Sequence, residues 1–201
     1  MKLFHFQAVR YNFAKVKRAS TRPRISLIVL LIATLLINPS FASAEKRKEY
    51  FPTGELKTEK TYVNGVQEGI SKEYFKSGQL ATEANYKNDK LEGLVKNYHE
   101  NGQLRAEANF KNDKLEGIVK LYYKSGKLKS EGNFKNGKNE GIDKWYYESG
   151  QLEAEYNFIN GKFEGISKGY YKNGKLKTEV NYKNGKLISQ KDYDESGKLI
   201  N

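Results

Sequence analysis

A chain of 201 residues with 37% hydrophobic and 30% charged residues, among which Tyr (15) is prominent, cannot fill a thick two-layer interior, although amphipathic rings can cover a thin sheet. The absence of cysteine excludes disulfide staples, thiolate zinc sites, a Cys nucleophile and a lipoprotein anchor. Seven of the 36 basic residues and none of the 24 acids lie in residues 1–44; the remaining 29 basic and 24 acidic residues give a net +5, too weak and too mixed to imply nucleic acid.

The chain opens with a leader. Residues 25–37, ISLIVLLIATLLI, form an apolar run preceded by a basic stretch and followed by Asn38-Pro39 and Phe41-Ala42-Ser43-Ala44. A bilayer-spanning helix needs about 20 apolar residues, so this run suits the helical h-region of a secretory signal. Ala42-x-Ala44 fits the small-residue cleavage rule, making residues 1–44 a signal peptide and Glu45 the mature N-terminus. The protein is therefore expected to be exported, to the periplasm, the cell surface or the medium. The alternative is an inner-membrane anchor left uncleaved. Residues 45–49 are expected to be a short linker.

A repeat occupies the rest. Gly54, Gly78, Gly102, Gly126, Gly150 and Gly174 recur at a 24-residue period, and Gly197 comes after a further 23. Residues 50–201 thus comprise six units and a C-terminal half-repeat cap. Each unit has two turn signals: Ser77-Gly78 or Asn101-Gly102 in one place, Asn64-Gly65 or Asn88-Asp89 in the other, the latter succeeded by Glu-Gly. Asn and Gly tolerate the positive φ of tight hairpin turns. Between the turns, six to eight residues alternate with period two, so the chain is expected to be all-β, a series of tandem hairpins. Helix is disfavoured by Gly or Asn every few residues.

The alternation assigns faces. Leu152, Ala154, Tyr156 and Phe158 are apolar while the residues between them are polar, and Ile118-x-Lys120-x-Tyr122 recurs at 142–146 and 166–170. A three-residue loop such as Lys124-Ser125-Gly126 places Tyr122 opposite Leu128; a two-residue turn pairs Tyr123 with Leu128 and exchanges the faces. The first register is preferred because it gathers the least variable positions on one face, which is then the packed one. The other face carries residues that change between units: Phe75, His99, Tyr123, Tyr147 and Tyr171 in one row, with Trp145 in the next row among Glu73, Asn97, Leu121 and Gly169. Phe75, His99, Tyr123, Trp145, Tyr147 and Tyr171 are therefore the candidate binding face. The competing reading is cross-strand stacking that only stiffens the sheet, worth about 0.2–1 kcal/mol per pair.

The pattern Asn-Gly-Lys-x-Glu-Gly-Ile-x-Lys-x-Tyr-Tyr-x-x-Gly-x-Leu at 136–152 and 160–176 resembles the bacterial variant of the MORN repeat, over about residues 50–200. The resemblance implies an elongated single-layer antiparallel meander that binds rather than catalyses, with a protein partner or a membrane-lipid or cell-envelope contact. Many bacterial members carry an antitoxin label. A cleavable leader separates this chain from a cytoplasmic toxin, so an antitoxin or immunity role, like that of a pure structural spacer, is the alternative.

No residue set supports catalysis, a cofactor or a metal. His99 is the sole histidine after the leader and occupies a slot that other units fill with Phe or Tyr; no Ser and carboxylate are arranged around it for a nucleophile–base set. Glu68, Glu92, Glu116, Glu140 and Glu164 recur once per hairpin before Gly, as structural turn residues do. Asn112-Asp113-Lys114-Leu115-Glu116 lacks the alternating oxygen ligands of a calcium loop. No phosphate loop or dinucleotide fingerprint occurs. Aromatic cages for choline need several Trp, and only Trp145 is present. Oligomeric state is open.

Overall fold

The structure, a computed structural model, describes residues 43–200, so the expected signal helix lies outside the described residues. Within them the chain contains no helix and forms one open antiparallel sheet of 17 strands. The first nine are β1 (Ala44–Tyr50), β2 (Leu56–Val63), β3 (Val66–Gln67), β4 (Gly69–Tyr74), β5 (Leu80–Lys87), β6 (Lys90–Leu91), β7 (Gly93–Tyr98), β8 (Leu104–Lys111) and β9 (Lys114–Tyr122). The others are β10 (Leu128–Lys135), β11 (Lys138–Asn139), β12 (Gly141–Tyr146), β13 (Leu152–Ile159), β14 (Lys162–Phe163), β15 (Gly165–Tyr170), β16 (Leu176–Lys183) and β17 (Lys186–Asp192).

Pairing runs in chain order, hairpin after hairpin: β1 with β2, β2 with β3 and β4, β4 with β5, and so on to β16 with β17. The expected linker at 45–49 is strand instead. β1 pairs with β2 from Ala44 opposite Val63 to Tyr50 opposite Leu56. Its alternating Glu and Lys lack strand propensity, but β2 offers an edge whose amides and carbonyls need partners.

Two turn types build each unit. At the tip, Asn64-Gly65 and Asn88-Asp89 hold both central residues at positive φ, 52° and 79° in the first and 52° and 61° in the second. This twist matches that of the flanking strands. At the other end a three-residue loop closes on Gly126 (φ 82°), with the Gly126 amide donating to the Tyr123 carbonyl at 2.9 Å. Tyr122 stands opposite Leu128, as the preferred register requires.

A bulge beside this loop corrects the face assignment. After Leu128 the register slips by one residue, so Ser130 rather than Lys129 lies opposite Leu121. The same bulge recurs between Trp145 and Tyr146 and between Gly169 and Tyr170. One extra residue reverses the alternation. Ala154, Tyr156 and Phe158 therefore share a face with Asp143 and Trp145, not with Ile142 and Tyr146. That inner face is the buried one: Val95, Ala106 and Ala108 are 0% exposed, and Ser71, Val119, Ser130, Asp143, Ala154 and Ser167 are buried.

Small residues along the middle of the inner face are covered by large neighbours along its margin. Phe158 and Phe163 lie 4.7 Å apart between ring centroids, Phe163 and Tyr182 4.8 Å, and Tyr156 reaches Phe163 at 5.8 Å. A second bulge at each Glu-Gly, such as Glu92-Gly93 facing Asn85, bends the strand between its short and long parts. The β16–β17 hairpin has one residue fewer at this point, Asn181 facing Ser189 and Tyr182 facing Leu187, which accounts for the final 23-residue interval.

Candidate interaction face

The side of the sheet opposite the core carries three parallel rows. Their order comes from strand alternation, with every second residue of each long strand pointing outward. The middle row is charged and alternates strictly across thirteen strands: Lys48, Glu59, Lys72, Glu83, Lys96, Glu107, Lys120, Glu131, Lys144, Glu155, Lys168, Glu179 and Lys191, each directly opposite the next. Lys72 approaches Glu83 at 3.5 Å and Lys144 approaches Glu155 at 3.9 Å. At the edge, a hydrogen bond from Lys46 at 3.1 Å holds the Glu59 carboxyl below its ordinary range.

On one side of the charges runs a row of Tyr and Leu. The hydroxyls of Tyr122 and Tyr146 donate to Glu107 at 2.7 Å and Glu131 at 3.0 Å, tying each unit to the previous one across the row. Burial, and then the Glu107 bond, push the Tyr122 hydroxyl up from its ordinary pKa.

On the other side, aliphatic residues alternate with asparagines. Ile70, Leu94, Ile118, Ile142 and Ile166 are 43–57% exposed, one per unit. Between consecutive aliphatics lies an Asn: Asn85 opposite Ile70, Asn109 opposite Leu94, Asn133 opposite Ile118, Asn157 opposite Ile142. Asn157, Ile142, Ile166, Glu155 and Lys168 line a shallow open depression. Asn85 has a structural role, its Nδ2 donating to the Glu92 carbonyl at 3.0 Å and fixing the bulge. The aliphatics stand on the face opposite the core.

The residues expected to bind are placed elsewhere. Trp145 is half-buried on the inner face, between Ser130 and Ala154 and two residues along the strand from Asp143. Tyr123, Tyr147 and Tyr171 are half-buried at the loop end, where their hydroxyls donate to the carbonyls of Tyr146, Tyr170 and Tyr193 at 2.6, 2.7 and 2.7 Å. His99 Nε2 lies 3.2 Å from the Tyr122 carbonyl. Phe75 is half-buried in the same position of the β4–β5 hairpin. These rings tie each unit to the next; the structure separates Trp145 from them and presents none as a free outer face. The outward aliphatic row was visible in the sequence as Ile at a 24-residue spacing, but there its uniformity pointed to the core.

The recurring Glu residues hold the other end of the hairpins. Glu68, Glu92, Glu116 and Glu140 accept the backbone amides of Asn88, Asn112, Asn136 and Asn160 at 2.9 Å each. The tip amides also pair across units, Gly137 donating to the Leu115 carbonyl at 2.8 Å.

A creased sheet of near-identical hairpins, closed between neighbours at both ends and bare on one face, defines a solenoid-like repeat protein. The chain belongs to the MORN repeat variant family, whose model matches residues 46–64, 67–88, 91–112, 115–136, 139–160 and 163–184. No curated protein matches. Among solved structures, 54% of the chain is similar to 21% of a chain in a crystal structure of a GtfA/B complex bound to UDP and GlcNAc, at 12% identity and a TM-score of 0.24. The chain thus spans about a fifth of that one, a likeness too slight to bear on function.

Proposed function

We propose that the protein is an exported, non-enzymatic binding or scaffolding module whose outer sheet face meets a protein or envelope partner. The observation that carries this reading is the outward aliphatic row. Five large aliphatic side chains, one per unit, leave 43–57% of their surface exposed on the face away from the core. A line of such residues beside a charged row has the make-up of an interface core with a polar rim. Membership of a repeat family supports a binding or structural role. Export rests on the apolar run at 25–37 and on Ala42-x-Ala44; the described pairing begins at Ala44, so removal of the leader leaves β1 whole from Glu45 onward.

Two measurements test this. Mass spectrometry of the native protein is expected to find Glu45 at its N-terminus, and an intact leader in the membrane fraction would refute cleavage. Cross-linking in the exporting cell is expected to trap a partner with the wild type and to lose it with Ile118→Arg plus Ile142→Arg. Undiminished trapping by that variant would remove the outer face from the function.

A further inference from the structure

We infer that the partner of the outer face is a second copy of the chain, packed face to face and offset by one strand. This rests on the reading of that face as the contact surface and names what covers it. The charged row is self-complementary in one way. A two-fold axis parallel to the strands, passing between β9 and β10, sets Lys120 of each copy over Glu131 of the other. Because the row alternates without a break from Lys48 to Lys191, the same axis sets Lys over Glu at every overlapping strand. An axis lying along a strand instead sets like charges together, which costs energy at every position.

The aliphatic row makes the same choice independently. Under the one-strand offset each Ile of one copy lands over an Asn of the other, because Ile118 lies opposite Asn133 and Ile142 opposite Asn157. The depression over Asn157, flanked by Ile142 and Ile166, then receives an aliphatic side chain. Knobs meet holes in the register that also pairs the charges. β9 is the seventh of the thirteen long strands, so an axis beside it gives nearly complete overlap. Twelve overlapping strands at ~4.8 Å spacing and three rows spanning ~14 Å cover roughly 800 Å² per copy, the extent of a standard specific interface. Sheets packed face to face with their strands nearly aligned are an established arrangement.

The experiment uses the protein expressed in full and purified from the exporting cell. Sedimentation equilibrium of the wild type is expected to show a reversible dimer that weakens as salt rises. Lys96→Glu, Lys120→Glu and Lys144→Glu together, and Glu107→Lys, Glu131→Lys and Glu155→Lys together, should each give monomers. Mixed, the two variants should form a one-to-one complex. As a second route, Ile118→Arg alone, with its β-type circular dichroism retained, should be monomeric. A wild type that stays monomeric up to about 100 μM, charge-swapped variants that ignore each other, or an Ile118→Arg dimer as tight as wild type overturns the inference. If the wild type is monomeric but Ile118→Arg plus Ile142→Arg still loses its cross-linked partner, the outer face remains the binding surface and only the second copy is excluded.

Discussion

The carboxylate of Glu92 accepts the backbone amide of Asn112 at 2.9 Å, twenty residues ahead and in the next hairpin. Asn112 has φ 48° and heads a tight turn, so its amide has no partner within its own hairpin. The bond therefore fastens one unit to the next at the tip. Glu92→Ala should cost about 1 kcal/mol, the worth of one such bond at an exposed site. The costs of Glu92→Ala and Glu140→Ala should add, since the two lie in separated units. Urea melts of the single and double variants check this, and no loss in either would make the glutamates incidental.

Trp145 and Ile142 exchange the roles that uniformity in the sequence suggests. Trp145→Ala should destabilise by about 2–3 kcal/mol, because the ring fills the inner row beside Ala154 and Gly169, which have little or no side chain of their own. Ile142→Ser should stay within about 0.5 kcal/mol, since Ile142 is 57% exposed. Thermal melts of the two variants decide. An equal cost for both would place the core on the other face.

Asp143 introduces pH dependence. It occupies an inner position where other units hold Ser71, Val95, Val119 or Ser167, and is 4% exposed. Burial pushes its carboxyl up to about 6, against the opposing hydrogen bond from Asn139. The folded chain therefore binds this proton more tightly than the unfolded chain does. Stability contributed here should fall as pH rises from the ordinary carboxylate range to about 6, and stay low above it. Asp143→Asn should flatten that slope and stabilise at pH 7 by up to about 3 kcal/mol. Denaturant midpoints at pH 4, 5, 6 and 7 measure it; parallel curves for the two proteins would refute it.

Gly132 is coupled to the same residue. A Cβ on Gly132 would lie 2.9 Å from Asp143 Cγ, whereas the matching position of the previous unit pairs Ala108 with Val119. Gly132→Ala alone should therefore destabilise by about 1–2 kcal/mol. Adding Asp143→Val restores the pairing of the previous unit and should recover that loss, giving a coupling that a double-mutant cycle reads directly. Additive effects would mean the two residues do not meet.

Unit deletion tests modularity. Removing residues 98–121 joins Asn97 to Tyr122 in phase, and should shorten the sheet while keeping β-type circular dichroism. Removing residues 98–109 leaves a strand without its partner and should unfold the neighbouring hairpins. Identical behaviour of the two deletions would refute nearest-neighbour stability.

The sequence by itself determined the period, the hairpins, both turn types and the Tyr122–Leu128 register, because Asn, Gly and alternation act locally and repeat without change. It also marked the recurring glutamates as turn residues, and they accept the tip amides of the next hairpin. Only the tertiary structure decided which side is buried. A bulge at Lys129 and its equivalents inserts one residue with no distinctive side chain, and this reverses the alternation on which the face assignment of Trp145 and Ile142 rested. Uniformity was a misleading guide for a physical reason. Inner residues can vary from unit to unit when neighbours compensate, as Gly132 does for Asp143, whereas the outward Ile and Lys/Glu rows repeat almost unchanged although they lie on the face away from the core. Tyr123, Tyr147 and Tyr171 bond to backbone 22 or 23 residues away, a relationship fixed by how one hairpin stacks on the next and invisible within a single unit.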